Sequence, residues 1–288
     1  MIIVTGATGE LGRRITERLV ALVPATQIGV SVRDPQRAQS FADRGVRVRR
    51  GDFTEPDSLA HAFEGATQVL IVSVDKLGDE SVAQHRTAID AAVAAGARRI
   101  LYTSHMGADA SSHFQACRDH AATEEILDSR GTPFTALRNG FYTASALQFF
   151  DRAWESGRLT LPADGPVAWT THDDLADAAA AILTDEGRFD GPTPPLVAEE
   201  ALTFDDACHI AADATGHTCS RATVPDEVFR DRLIANGVPA AYAHQLLGIF
   251  AATRAKEFAA THAALADLIG RKPTPLSTAL RDHLLSTS

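Results

Sequence analysis

Three glycines spaced three residues apart, Gly6, Gly9 and Gly12, sit in TGATGELGRR directly after the apolar run Ile2–Val4. Between a strand and a helix this spacing has a physical use. The first glycine permits a tight turn, the second lets backbone approach a pyrophosphate, and the third brings the helix against the sheet. Main-chain N–H groups at the helix start then face the anion. Thr8, Glu10 and Leu11 complete the candidate phosphate-binding set. A strand–helix bend with no ligand needs the same glycines, so the next strand must be read with them. It ends Ser31-Val32-Arg33-Asp34-Pro35. NAD sites commonly carry an acidic residue there, accepting from the ribose hydroxyls. Arg33 instead stands 21 residues after Gly12, and a guanidinium pairs bidentately with a 2′-phosphate. Arg37 could assist, and Arg13 is a weaker candidate. The pattern predicts NADPH, with NADH tolerated if Asp34 turns into the pocket. Asp52-Phe53 follows the third strand, where a carboxylate can accept from the adenine amino group. Ser73, ending the fourth strand, is placed to meet the ribose. Each has a plain alternative, Asp52 as a turn residue and Ser73 as a strand-end filler.

These positions meet only if strands and helices alternate. Strand-like runs fall at Ile2–Val4, Ile28–Val32, Val46–Arg49, Val69–Val74, Ile100–Thr103 and Phe134–Leu137. Helical patterns lie between them, including Glu10–Leu22, Ser58–Phe63, Ser81–Ala95 and Ala121–Asp128. Gly65 and Gly96 read as helix C-terminal caps, and Asp57-Ser58 as a helix start. The alternation predicts an α/β fold, a Rossmann-type doubly wound parallel sheet covered on both faces. After about residue 140 the rhythm changes. Pro162, Gly165, Pro166, Pro192, Pro194 and Pro195 punctuate the chain, and from Thr203 it reads mainly as helices. The expected division is a dinucleotide-binding domain over 1–155 and a smaller, mainly helical substrate-side lobe over 156–288. Thr171-His172-Asp173-Asp174 and the alanine-rich Leu175–Leu183 mark a segment near 169–186 that returns to the first domain.

Composition narrows the function. The 45% hydrophobic and 22% charged fractions are those of a globular protein. With 27 basic and 37 acidic residues, the net charge of −10 disfavours a phosphate-coating surface, so no nucleic-acid partner is expected. No apolar run reaches bilayer length, and the strand-like start at residue 2 leaves no room for a signal peptide. Cys117, Cys208 and Cys219 form neither an even disulfide set nor a CxxC pair, and read as free thiols of a cytoplasmic protein. The histidines lack a paired His/Cys spacing, so no metal is expected. A homo-oligomer is compatible with the sequence but not specified by it.

TGATGELG, SVRDP, RGDF, YTS and LRNGFY together resemble the NmrA-like, atypical short-chain dehydrogenase/reductase family. Within it the chain is similar to the bacterial type 2 NAD(P)H:quinone oxidoreductases, with triphenylmethane reductase a near relative. QHR at Gln84–Arg86 and LIGRKPTPL at Leu268–Leu276 extend the resemblance nearly end to end. It implies a Rossmann domain with a small C-terminal lobe, NADPH as donor and a quinone-like small molecule as acceptor. The resemblance also covers two other outcomes. One is a non-enzymatic regulator that senses dinucleotides. The other is a reductase of a dye, an enone or a biosynthetic intermediate.

The wider superfamily carries a Tyr-x-x-x-Lys pair on the helix after the fifth strand. Here that region reads CRDHAATEE over residues 117–125, with no tyrosine and no lysine. If His120 holds the tyrosine position, Glu124 holds the lysine position. Hydride addition to a ketone leaves an alkoxide nearly as basic as hydroxide, whose parent water has a pKa of about 15.7. That reaction benefits from a positioned acid. Addition to a quinone leaves a phenolate-like oxygen, with a conjugate acid near pKa ~10, as for tyrosine. The missing pair therefore points to an easily reduced, conjugated acceptor, with catalysis resting on proximity and exclusion of water.

Candidates near the nicotinamide follow the fifth and sixth strands. Ser104 is a cofactor contact, and His105 could hydrogen-bond a quinone oxygen or supply a proton. Asn139 can donate to the nicotinamide amide or to the acceptor. Phe141 and Tyr142 offer faces to a flat ring, or else pack between the lobes. Asn139, His105 and Tyr142 form the candidate catalytic set, and Phe141, Tyr142 and His105 the substrate set. His120 is either a relay or a helix-surface histidine. His85 and Arg86 lie near the entrance by resemblance. Trp169 and His172 line the far wall or pack the lobe junction.

Overall fold

The computed structural model describes residues 1–154, 157–216 and 218–286. The expected boundary between 155 and 156 lies outside the described residues. Among the described residues there are nine strands: β1 (Ile2–Thr5), β2 (Ile28–Val32), β3 (Arg47–Arg50), β4 (Gln68–Ile71), β5 (Arg99–His105), β6 (Phe134–Asn139), β7 (Arg158–Leu161), β8 (Gly191–Pro192) and β9 (Ser220–Thr223). The α-helices of the first half are α1 (Glu10–Leu22), α2 (Gln39–Ala42), α3 (Pro56–Phe63), α4 (Asp79–Ala94), α5 (Gln115–Ser129) and α6 (Thr143–Trp154). They continue with α7 (His172–Thr184), α8 (Phe204–Thr215), α9 (Asp226–Ala235), α10 (Ala240–Arg254), α11 (Ala264–Ile269) and α12 (Leu276–Ser286).

Seven strands form one parallel sheet in the order β3-β2-β1-β4-β5-β6-β8. Residues of β1, β2 and β4 are buried throughout, because helices cover both faces. On one face Leu11, Ile15 and Leu19, spaced by four along α1, pack with the alanine-rich α7 and with Leu265 and Leu268 of α11. On the other, Leu59 and Phe63 of α3, Ala88 and Ile89 of α4, and Ile126 and Leu127 of α5 cover the sheet. The chain leaves β1 toward β2 on one side and returns as β4 on the other, so a crevice opens above β1 and β4. A third core gathers Phe141, Phe150, Trp169, Phe204, Phe250, Phe258 and Leu280, beside the small parallel pair β7–β9.

Several element bounds shift, most of all α5, which starts at Gln115 rather than Ala121, and two changes bear on the site. The sheet has seven strands rather than six: Gly191–Pro192 pairs with Thr135 and Ala136, too short a run within proline-rich sequence to show as a strand. The fourth strand stops at Ile71 instead of Val74. The N–H groups of Val72, Ser73 and Val74 leave the ladder for side chains, donating to Thr5 Oγ1 (2.9 Å), Thr103 Oγ1 (2.8 Å) and His85 Nε2 (3.1 Å). Satisfied away from the sheet, this segment can splay and open the crevice.

The C-terminal tail is tied back through Asp174, which is fully buried at the start of α7. Its carboxylate accepts from Arg271 (2.6 Å), from the Thr274 N–H (2.7 Å) and from Thr171 Oγ1 (2.7 Å). Among the described residues no helix is long and apolar enough to cross a membrane.

Candidate functional site

Two cavities meet at the crevice and share Ser73, Val74, Asp75 and Lys76. The first, of about 650 Å3, is lined by Gly6, Thr8 and Gly9, by Arg33 and Arg37, and by Asp52 and Phe53. The cofactor candidates from three strand ends thus share one groove. Gly6 has φ +62°, a left-handed conformation suited to glycine. Gly12 is buried where α1 crosses the turn: a Cβ there would overlap the Gly6 carbonyl oxygen and lie 2.8 Å from its carbon. Asp52 Oδ1 accepts from the Thr54 N–H and hydroxyl, which hold its carboxyl below the usual range.

Glu10 and Leu11 have side chains directed elsewhere. Glu10 pairs with Arg14, and Leu11 is in the core. Only their main-chain N–H groups, in the first turn of α1, remain available to an anion. Arg13 pairs with Glu17 at 2.7 Å and lines neither cavity. Asp34 Oδ1 caps the next turn by accepting from the Gln36 N–H at 3.0 Å, and Asp34 is likewise absent from both walls. The groove fits a phosphorylated dinucleotide. Its floor holds Ser31, whose buried Oγ has no hydrogen-bond partner among the described residues. Arg33 and Arg37 line its edge without a salt bridge among the described residues.

The second cavity, about 330 Å3, is walled by Ser104, His105, Asp119, His120, Phe141 and Tyr142, and by Phe114, Phe149, Tyr242, Leu246 and Ile249. Ser104 donates to Glu124 Oε1 at 2.6 Å, and Glu124 is held by Arg138 at 2.7 Å. The position suggested for a catalytic lysine is therefore a carboxylate locked in an ion pair. His105 Nδ1 accepts from the Gly107 N–H at 3.0 Å, so the ring proton lies on Nε2. Burial pushes its pKa down to about 4. The neutral ring can donate a hydrogen bond, but at neutral pH it is not an imidazolium acid.

Asn139 is 2% exposed and lines neither cavity. Its side chain lies beside the Tyr142 hydroxyl. Tyr142 lines the cavity and packs on His172, ring centroids 4.3 Å apart. Phe141 both lines the wall and packs against Trp169 and Phe258. Trp169 and His172 are packing residues, and Arg86 is exposed away from both cavities. His120 is no surface histidine: it lines the cavity and meets Tyr102.

Sequence reading missed Tyr102, the Asp75-Lys76 corner that joins the cavities, and the wall from α10. Tyr242, Leu246 and Ile249 are four and then three residues apart, a helical face readable in retrospect. Tyr102 stood within the YTS motif, where nothing in the spacing assigned it to a site.

Burial also holds His85 near a pKa of about 4 and pushes His120 and His172 down. Between about 4 and the ordinary 6.5, the unfolded chain takes up protons that the folded chain does not. Stability therefore falls as the pH is lowered through that window. From pH 7 to pH 5, His85 and His105 each contribute a loss of about 2 kcal/mol, read as a lowered urea midpoint. A midpoint that does not move would show that these imidazoles are solvated.

The sequence profile of the NmrA-like family matches residues 1–277. Quinone oxidoreductase 2 of Escherichia coli (strain K12) is 37% identical over 224 residues, covering 77% of this chain and 76% of that protein. The crystal structure of the Escherichia coli NADPH-dependent quinone oxidoreductase complexed with NADPH superposes with a TM-score of 0.92 and 32% identity, covering 99% of this chain and 100% of that one. Citrobacter sp. triphenylmethane reductase complexed with NADP(H) gives 0.89 and 34%, covering 98% and 100%.

Proposed function

Since the chain belongs to the NmrA-like family, we propose that it is an NADPH-dependent reductase passing hydride directly to a quinone-like, conjugated acceptor. One observation carries this reading: a groove edged by Arg33 and Arg37 runs past Ser73–Lys76 into an aromatic-walled cavity. His120 lines that cavity, Glu124 behind it is paired with Arg138, and residues 117–125 hold neither a tyrosine nor a lysine. The relatives' NADPH and quinone chemistry agrees with it.

The reduced nicotinamide supplies the hydride when bound. Gly6, Thr8 and Gly9 cradle the pyrophosphate with the first turn of α1, and Arg33 with Arg37 takes the 2′-phosphate. Asp34 is spent on its own turn, which supports NADPH over NADH. Asp52, Phe53 and Ser73 follow the adenosine and ribose, and Ser104 marks the passage toward the nicotinamide end. Phe141 and Tyr142 hold the flat acceptor, with Asn139 beside Tyr142. The neutral His105 donates to an acceptor oxygen. A phenolate-like product needs little more, and water protonates it.

Purified protein is expected to consume NADPH when given benzoquinone or a naphthoquinone, followed by loss of the reduced-nicotinamide absorbance. Tight cofactor binding by calorimetry with no turnover across quinones, dyes and enones would overturn this reading in favour of a dinucleotide sensor.

A further inference from the structure

His85, Tyr102 and His120 form a connected set of rings beside the acceptor cavity. Their hydrogens can be assigned from groups that have only one role. The Val74 N–H must donate, and it meets His85 Nε2 at 3.1 Å. That nitrogen is therefore bare, and the His85 proton sits on Nδ1. From Nδ1 it reaches Thr123 Oγ1 at 3.1 Å and the Tyr102 oxygen at 3.3 Å. Thr123 already gives its own proton to the Asp119 carbonyl at 2.8 Å. The Tyr102 oxygen lies 2.7 Å from His120 Nδ1. Thr123 also adjoins the Tyr102 hydroxyl, but the 2.7 Å contact to His120 Nδ1 is shorter than the 3.3 Å one to His85, and we assign the tyrosine O–H to it. Tyr102 therefore donates to Nδ1, and His120 carries its proton on Nε2.

His120 is only partly exposed, on a helix packed into the protein, and it is part of the cavity wall. Nε2 is the nitrogen left for a ligand. The ring stacks on His105, with centroids 6.1 Å and planes 19° apart, so two neutral imidazoles stand side by side at one wall. Burial keeps both uncharged at neutral pH.

We propose that His120 hydrogen-bonds the carbonyl oxygen of the acceptor through Nε2–H, its ring fixed for that task by Tyr102 and, behind it, His85. The proposal rests on the reductase reading and narrows its substrate class to conjugated carbonyl compounds. Hydride adds to the conjugated system with its electron pair. The carbonyl π pair moves to oxygen, the nicotinamide is oxidised by two electrons, and a proton from water completes the hydroquinone. A neutral imidazole donor stabilises the developing oxyanion without having to ionise. His120 is then a catalytic residue and Tyr102 a positioning residue.

The test compares benzoquinone with a triphenylmethane cation, whose hydride acceptor is a carbon with no carbonyl oxygen. His120→Phe is expected to lower kcat for benzoquinone, and the quinone-to-dye turnover ratio, about tenfold. This is less than the two to three decades typical of an acyl-transfer oxyanion, because a phenolate needs less help. His120→Gln, which keeps an N–H near Nε2, retains most of the quinone rate. Tyr102→Phe gives a smaller fall in kcat with KM for NADPH unchanged, and 15N shifts of His120 move from a pure Nε2–H tautomer to a mixture. Equal losses on both acceptors, no loss in His120→Phe, or no rescue by glutamine would overturn the proposal while leaving the reductase reading intact. A wild-type protein that reduces neither acceptor ends both.

Discussion

Replacing Gly12 with alanine is expected to remove productive NADPH binding while also destabilising the fold. On helix propensity alone the change should help, by about 1 kcal/mol. Here the added Cβ would overlap the Gly6 carbonyl oxygen and sit 2.8 Å from Gly6 C and 3.2 Å from Ala7 N. All three are backbone atoms with no rotamer to change. Gly6 is itself tied down: its N–H donates to the Ser31 carbonyl at 3.1 Å and its carbonyl accepts from the Gly9 N–H at 2.9 Å. The turn must therefore move away from α1 as a unit. Overpacking of this kind costs about 2 kcal/mol, measured as a lower urea midpoint. A displacement near 1 Å at a positioning element costs about a hundredfold in kcat/KM, an effect to be read as kcat/KM for NADPH. Gly9→Ala is the contrast. Its backbone is extended at φ −91°, and its added Cβ meets only Gly6 O at 3.4 Å. Stability should hold, and only the cofactor constants should move. Equal stability losses at both positions would contradict the close-approach account.

Arg33→Ala is expected to raise the Kd for NADPH about thirtyfold and leave NADH nearly unchanged. Arg33 is exposed at the edge of the cofactor groove, and neither it nor Arg37 has an ion-pair partner among the described residues. Its charge is thus available to a 2′-phosphate without breaking anything first. A hydrogen bond to a charged group contributes about 2 kcal/mol, which is close to thirtyfold in affinity. The nearby Arg37 retains part of the attraction, so the double substitution should exceed either single one. Calorimetric titration with both cofactors over a salt series checks this, because an exposed pairing weakens as salt rises. Parallel losses for NADPH and NADH would place Arg33 outside the phosphate site.

The local features that survive in the structure are those whose cause is local. Helix α1 begins and ends where its apolar spacing and glycine start place it, and β2 likewise, because neighbouring residues alone decide those patterns. The resemblance in TGATGELG and LRNGFY indicated the family and its Rossmann-type fold. Strand β4 could not be bounded this way: its end is set by Thr5, Thr103 and His85, far away in the chain. Asn139 shows the same limit. Its position after the sixth strand suggested a ligand contact; in the structure its side chain lies beside Tyr142 and lines neither cavity. Whether a polar group faces a ligand or a neighbour depends on packing across elements.

The amino-acid order by itself determined the parallel α/β fold, the glycine turn after β1, the arginine at the end of β2 and the lack of tyrosine and lysine over residues 117–125. Each is a matter of residue type and short spacing. Tertiary structure alone decided that Glu124 is locked by Arg138, and that α10 supplies part of the second cavity's wall. It also joined Tyr102 of β5 to His120 of α5 and His85 of α4. The physical reason is that a hydrogen's direction is fixed by every donor and acceptor around it. Here those partners come from separate elements that meet only once the sheet has formed.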